Sequence, residues 1–135
     1  MRLLTVTRTG FATAAVLLLS AFVTQASADM PAAHFDNLDK RAFAMGEING
    51  YLGICGQADA LRHRAVITKE ATAADASKSQ VQALLYAFDK GLSAGATAAP
   101  LQFKTCSKSL FAYLRQKNEA LSKLEQQWPD NLPKK

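Results

Sequence analysis

Apolar positions recur along this chain at the interval of a helix. Val81, Leu84, Leu85, Phe88 and Leu92 return to one side of a 3.6-residue turn and predict a helix after a Ser77–Gln80 capping box. Pro100 is expected to break that helix within "GATAAPLQFK". Phe103, Cys106, Leu110, Tyr113, Leu114, Leu121, Leu124 and Trp128 form a longer stripe, with Lys117 its single polar member. The stripe predicts a last helix from about Thr105 to Trp128, stopped by Pro129. A first helix opens near Asp36 or Asn37, either of which can cap it. It carries Leu38, Ala42, Met45, Leu52 and Cys55 on one face, interrupted by Asn49, with Lys40, Glu47 and Tyr51 on the other. "QADALRHRAVITKEA" reads as a second helical stretch with Ala58, Leu61 and Ala65 on its apolar side, and 71–79 as a loop. Residues 29–35 and 129–135 read as loose ends. Alternating β-branched runs are absent. The fold class expected is all-α, a bundle of three to four helices.

Glycine and cysteine refine that picture. Gly46, Gly50 and Gly53 interrupt the first helix, at up to about 1 kcal/mol each relative to alanine. With Ala42 they form a narrow groove where another helix can approach. Gly91 and Gly95 repeat the spacing in the third helix. Cys55 and Cys106 allow one intramolecular pairing, which would clip the first and last helices face to face. The expected arrangement has glycines admitting the close approach and the disulfide locking it. A closed loop of roughly 52 residues contributes about 4 kcal/mol on the chain-entropy account.

The N-terminal 28 residues read as a signal peptide. Arg2 and Arg8 precede an apolar run from Phe11 to Val23, and Ala26 and Ala28 offer an A-x-A cleavage site. The alternative is an uncleaved anchor, but the uninterrupted core Ala14–Leu19 is short for a bilayer of about 30 Å. Cleavage near Ala28 would leave one domain, 29–135, periplasmic or secreted. Losing two arginines takes the formal charge from +5 to about +3, spread along the chain. No nucleic-acid motif is present, and nucleic acid is not an expected partner. An anionic membrane or cell-wall surface stays open.

Candidate chemistry is sparse. "GYLGICG" fits neither the P-loop spacing nor the dinucleotide fingerprint. Cys55, Asp59 and His63 are spaced four apart and form a candidate metal set, with Cys106 or His34 as a fourth ligand. The preferred reading is a disulfide beside a surface Asp–His pair, with no metal bound, because Gly56 is expected to interrupt the helix. C-x-x-C, the haem motif C-x-x-C-H and G-x-S-x-G are all missing. A Cys55–His63 thiol pair would have to survive an oxidising compartment. Glu47, Asp59, Glu70, Asp75 and Asp89 are scattered. No catalytic constellation results, and neither enzymatic activity nor a cofactor is expected. Arg62, His63 and Arg64 form a small basic cluster where an acidic partner would be sought. Of the aromatic residues, Phe43, Tyr51 and Phe111 fall partly off the stripes, and an exposed aromatic patch would mark a protein-binding face. The expected function is a non-enzymatic periplasmic interaction protein: an envelope accessory, an inhibitor or immunity-like protein, or a chaperone-like one. The alternative is a periplasmic carrier of a small ligand or metal. In either case the partner is unnamed by the sequence.

"GEINGYLGICG", "AFDKGLSAG" and "FKTCSKSLFAYLRQKNEAL" together resemble an uncharacterised family of small exported alphaproteobacterial proteins. There a "YL…CG" element precedes a second cysteine that opens a long helix. The resemblance covers about residues 42–122. It departs where the family's tryptophan after Cys-Gly is replaced by Leu61. It implies export and a paired cysteine, and no activity. In plan alone the chain is similar to the HdeA-type acid-stress periplasmic chaperones, and to helical immunity proteins that neutralise secreted amidases.

Overall fold

Met30 and Gln80 tie the start of the described chain to the middle of the sequence. In the computed structural model, which describes residues 29–128, the Met30 amide donates to Gln80 Oε1 at 2.8 Å. Gln80 Nε2 donates back to the Met30 carbonyl at 3.2 Å. Gln80 also closes the expected capping box with Ser77. Met30 is thereby buried, and the first helix starts at Ala32, behind Pro31 and ahead of Asp36. The loose lead-in expected over 29–35 is therefore corrected: a buried methionine and two hydrogen bonds hold it. The signal-peptide reading and the tail 129–135 lie outside the described residues.

Helix α1 spans Ala32–Leu52 and tightens into a 3-10 turn, Gly53–Cys55. Gly56, at φ 63°, ends it in the left-handed conformation that glycine adopts without steric cost. Helix α2, Ala60–Ala73, is capped by Asp59, whose carboxylate accepts from the Arg62 amide at 3.1 Å. Its buried face is Ile67 and Ala71, followed by Ala74. Ala58, Leu61 and Ala65, the side expected inward, are exposed, Leu61 by 83%. Alanine marks no face by itself, and Ile67 sets the orientation. Helix α3, Lys78–Gln102, runs through Pro100. The expected break fails because proline stands in the last turn. The carbonyl it leaves without an intrahelical donor belongs to Ala96, which is exposed to water. Helix α4, Lys108–Gln126, begins at a Ser107 cap, and the stripe from Leu110 and Leu114 to half-buried Leu121 and Leu124 faces the bundle as expected.

Among the described residues the result is an all-α, four-helix bundle. Helix α1 touches each of the other three. Against α3 it lies parallel: Gly46 meets Phe88 and Leu92, and one turn on Gly50 meets Leu92 and Ala96. The contact is backbone on backbone. A methyl at Gly46 would overlap the Phe88 carbonyl oxygen and stand 2.8 Å from Leu92 N. A methyl at Gly91 would overlap the Phe43 carbonyl and stand 2.9 Å from Glu47 N. Gly50 and Gly95 close the same seam, each Cβ falling on the backbone of the opposite helix. Small residues at helix spacing admit this approach. Larger side chains form a core on either side of it. Leu38, Ala42, Ile67, Leu84 and Phe88 build one. Ile48, Tyr51, Ala99, Leu110 and Leu114 build the other.

Helix α4 lies antiparallel on α1, and the Cys55–Cys106 disulfide joins the 3-10 turn at the end of α1 to the segment ahead of α4, with Cα atoms 5.0 Å apart. The expected pairing of cysteines is thus present, but it does not lock the glycine contact. The glycines join α1 to α3, and the disulfide joins the α1 region to the α4 region. Gly53 belongs to neither, because a Cβ there would meet open space.

Alanine substitution should separate these roles in urea denaturation. Gly46→Ala and Gly91→Ala force backbones apart and should each cost about 1–3 kcal/mol, the range of overpacking. Gly53→Ala should be neutral or stabilise by up to about 1 kcal/mol.

Candidate functional site

The residues singled out for metal chemistry do not converge. Cys55 is oxidised and has no thiolate to offer. Asp59 is engaged as the α2 cap. His63 Nδ1 is 2.7 Å from the Asp59 backbone oxygen. His34 stands elsewhere, stacked on Trp128 with ring centroids 5.4 Å apart. Among the described residues no group of three or more His, Cys, Asp and Glu is placed to hold a metal ion. The basic cluster is also divided: Arg64 pairs with Asp89 on α3, while Arg62 stays exposed.

Tyr51 corrects the expected polar face of α1. It is 1% exposed. Glu47 and Tyr51, one turn apart, both face α4. Tyr51 donates to Gln102 Oε1 at 3.1 Å and accepts from the Tyr113 hydroxyl at 3.3 Å. Lys117 Nζ donates to both Glu47 oxygens at 3.0 Å and lies 5.4 Å from the Tyr113 ring centroid. Phe103 packs on both tyrosines. The one polar residue of the α4 stripe thus has its partner waiting on α1. Burial, then the Tyr113 hydrogen bond, push the Tyr51 phenol up to about 12. Burial alone would lower Lys117, but its hydrogen bonds to Glu47 and Tyr113 outweigh that and raise it. This girdle joins α1, α3 and α4 and leaves no group free for chemistry. Asn49 is likewise satisfied: its Nδ2 donates to the Met45 carbonyl and its Oδ1 accepts from the Asp59 amide at 2.9 Å, which pins the loop before α2.

Two concave surfaces among the described residues flank α1, one on each side. Between α1 and α3 a groove of about 450 Å³ is floored by Phe35, Phe43, Tyr86 and Ala87, with Asp39, Lys40 and Lys90 at its rim. Tyr86 is 65% exposed, and Lys90 Nζ sits 5.5 Å from its ring centroid. Burial, then Asp36, raise the Asp39 carboxyl above its ordinary value of 3.8, with Lys90 and Lys40 opposing. Phe43 was legible as an aromatic off its stripe. Tyr86 was not singled out, although it too lies off the Leu84–Phe88 stripe, and that offset was the available signal.

The second is a cleft of about 460 Å³ between α1, α2 and the end of α4. Arg41 is at its centre, its side chain 12% exposed, with Nη2 2.9 Å from Glu70 and 3.8 Å from Glu125. The guanidinium lies 5.8 Å from the Trp128 ring centroid. Sequence reasoning missed this set because its members come from three helical regions, around residues 41, 70 and 125–128, and none falls in a motif. No family model, curated protein or solved structure matches this chain.

The girdle predicts alkaline sensitivity. Between its ordinary value of 10.0 and about 12, Tyr51 keeps its proton in the folded chain and loses it in the unfolded one. Stability should therefore fall as pH rises through that window. Lys117 acts in the same sense, its contribution being complete below 10.5 and lost above its raised value. Chemical denaturation at stepped pH should show the decline, and Tyr51→Phe should flatten it over the same interval.

Proposed function

We propose that this chain is a non-enzymatic, exported interaction protein that works in the periplasm and binds an apolar segment of another envelope protein. The exposed aromatic groove between α1 and α3 carries the reading. Phe43 is 39% and Tyr86 65% exposed, and they stand on the two helices whose backbones touch at the glycines. Aromatic side chains held on such a frame offer large contact area at little entropic cost. Asp39 and Lys90 give the rim both charge signs, suited to the polar edges of a bound peptide. Export is supported by the signal-like pattern of residues 1–28 and by the disulfide, which persists in oxidising compartments. No helix among the described residues is long and apolar enough to cross a membrane. The alternative role of small-ligand carrier draws on the other cleft; its metal form loses Cys55 to the disulfide.

A photo-crosslinking side chain placed at Tyr86 tests the reading in the protein's own periplasm. A discrete adduct is expected there, removed by Phe43→Ser, and absent when the same probe replaces Leu61 on α2. An identical adduct at both sites, or none at Tyr86, would exclude the groove. The groove's apolar character has its own check. Asp39 holds its proton in the folded chain at pH values where the unfolded chain has lost it, so its ionisation opposes folding. Asp39→Asn should therefore stabilise the chain at neutral pH. The gain should vanish as pH falls below the ordinary carboxylate value.

A further inference from the structure

Leu61 and Leu101 are the most exposed large apolar side chains among the described residues, 83% and 82% open to solvent. Both stand at one end of the bundle. Gly50 of α1 lies against Gly95 and Ala96 of α3, and Tyr51 reaches Gln102 in the last turn of α3, so α1 and α3 finish together. The Asp59 amide, at the cap of α2, donates to Asn49, and the disulfide brings the segment ahead of α4 to the turn after α1. Helices α2 and α4 therefore start at that same end. Leu61 lies in the first turn of α2, Leu101 in the last turn of α3, and Phe111, 42% exposed, in the first turn of α4. The groove and the cleft lie toward the other end and are lined by none of the three.

Charge divides the molecule along the same axis. From Lys90 to Asn118 the chain contains no acidic residue. From Ile48 to Lys69 its only acidic residue is Asp59, whose carboxylate caps α2. Arg62, Lys104, Lys108 and Arg115 are exposed near this end, and none forms an ion pair among the described residues. At the other end Lys40 and Arg41 are matched by Asp36 and Glu70.

We propose that the disulfide end of the bundle docks on the face of a lipid bilayer that carries anionic phospholipid. Leu61, Leu101 and Phe111 enter the headgroup layer, and Arg62, Lys104, Lys108 and Arg115 lie among the phosphates. Unpaired bases attract an anionic surface, and their long stems bridge its apolar and polar zones. An acidic soluble protein would answer the bases and leave the leucines in water. A fluid bilayer receives separate aliphatic side chains without a matching pocket. The attachment is peripheral, since no helix among the described residues is long and apolar enough to cross a membrane. It uses a surface separate from the aromatic groove, so it stands whether or not the groove binds a protein.

The exported chain is purified from the periplasm and mixed with vesicles of phosphatidylcholine, alone or with about 30% phosphatidylglycerol, and bound protein is measured by sedimentation. Binding is expected only with the anionic lipid and should weaken at least about tenfold as salt rises from about 0.05 to about 0.5 M. Replacing both lysines, by Lys104→Gln and Lys108→Gln, should lower the partition coefficient at least about tenfold, and Leu101→Ser about fivefold. All three positions are exposed, and circular dichroism should show the helices unchanged. These variants locate the contact whatever the N-terminus adds. In vesicles with brominated acyl chains, Leu101→Trp should show quenching beyond that of the single native tryptophan, Trp128, and Tyr86→Trp in the groove should not. No binding to anionic vesicles at low salt would overturn the proposal and leave the basic end to an acidic protein. Equal binding to neutral vesicles, variants that bind like the parent chain, or equal quenching at 86 and 101 would also overturn it.

Discussion

The approach of α1 to α3 at four glycines is the constraint on which the remaining structure depends. Without a Cβ at 46, 50, 91 and 95, carbonyl and amide groups of one helix meet the backbone of the other. Dispersion falls steeply with separation, so contact this close is a large gain distributed over many atoms. It also offsets the helix-propensity cost of placing glycine inside two helices. The parallel arrangement has a topological consequence. Two parallel neighbours in one chain need a returning segment, and α2 is that segment, running back from the disulfide end with only Ile67, Ala71 and a few small residues turned inward.

The other side of α1 is held by different means. Helix α4 has no glycine seam and meets α1 through the Tyr51–Tyr113 pair, the Glu47–Lys117 ion pair and the Cys55–Cys106 bond. These interactions are directional and fix register where a smooth apolar stripe would permit sliding. The ion pair is partly buried, with side chains 21% and 32% exposed, so screening by water discounts its strength. Its value lies in specifying which residue of α4 meets which of α1. The disulfide sits at the end of this contact and shortens the excursions open to α4 in the unfolded chain.

Much of this was legible in the order of residues, and the misses share a cause. The strong stripe of α3, the Ser77–Gln80 box and the paired cysteines declare themselves through spacing alone. The glycine pairs declared a close approach but not its partner, because spacing within one helix says nothing about which helix lies opposite. Tyr51 and Glu47 were placed on a polar face because helix periodicity assumes one buried side, whereas α1 is buried on three. Pro100 was read as a breaker because the local rule ignores its place within the final turn. The Arg41 cleft gathers groups from three elements with no motif, so only tertiary structure could assemble it.

Three-sided burial also explains where function can be probed. Within a few residues α1 supplies Arg41 to the cleft, Ala42 to the core, Phe43 to the groove, Gly46 to the seam and Glu47 to the girdle. A substitution on this helix therefore perturbs stability and surface together, and loss of binding there would not by itself locate a site. Tyr86 on α3 and Glu125 on α4 stand on the far walls of the two concavities and bear little of the core's packing. Their exposure is what makes them informative, since each changes the chemistry of one surface while the helix shared by both stays unchanged.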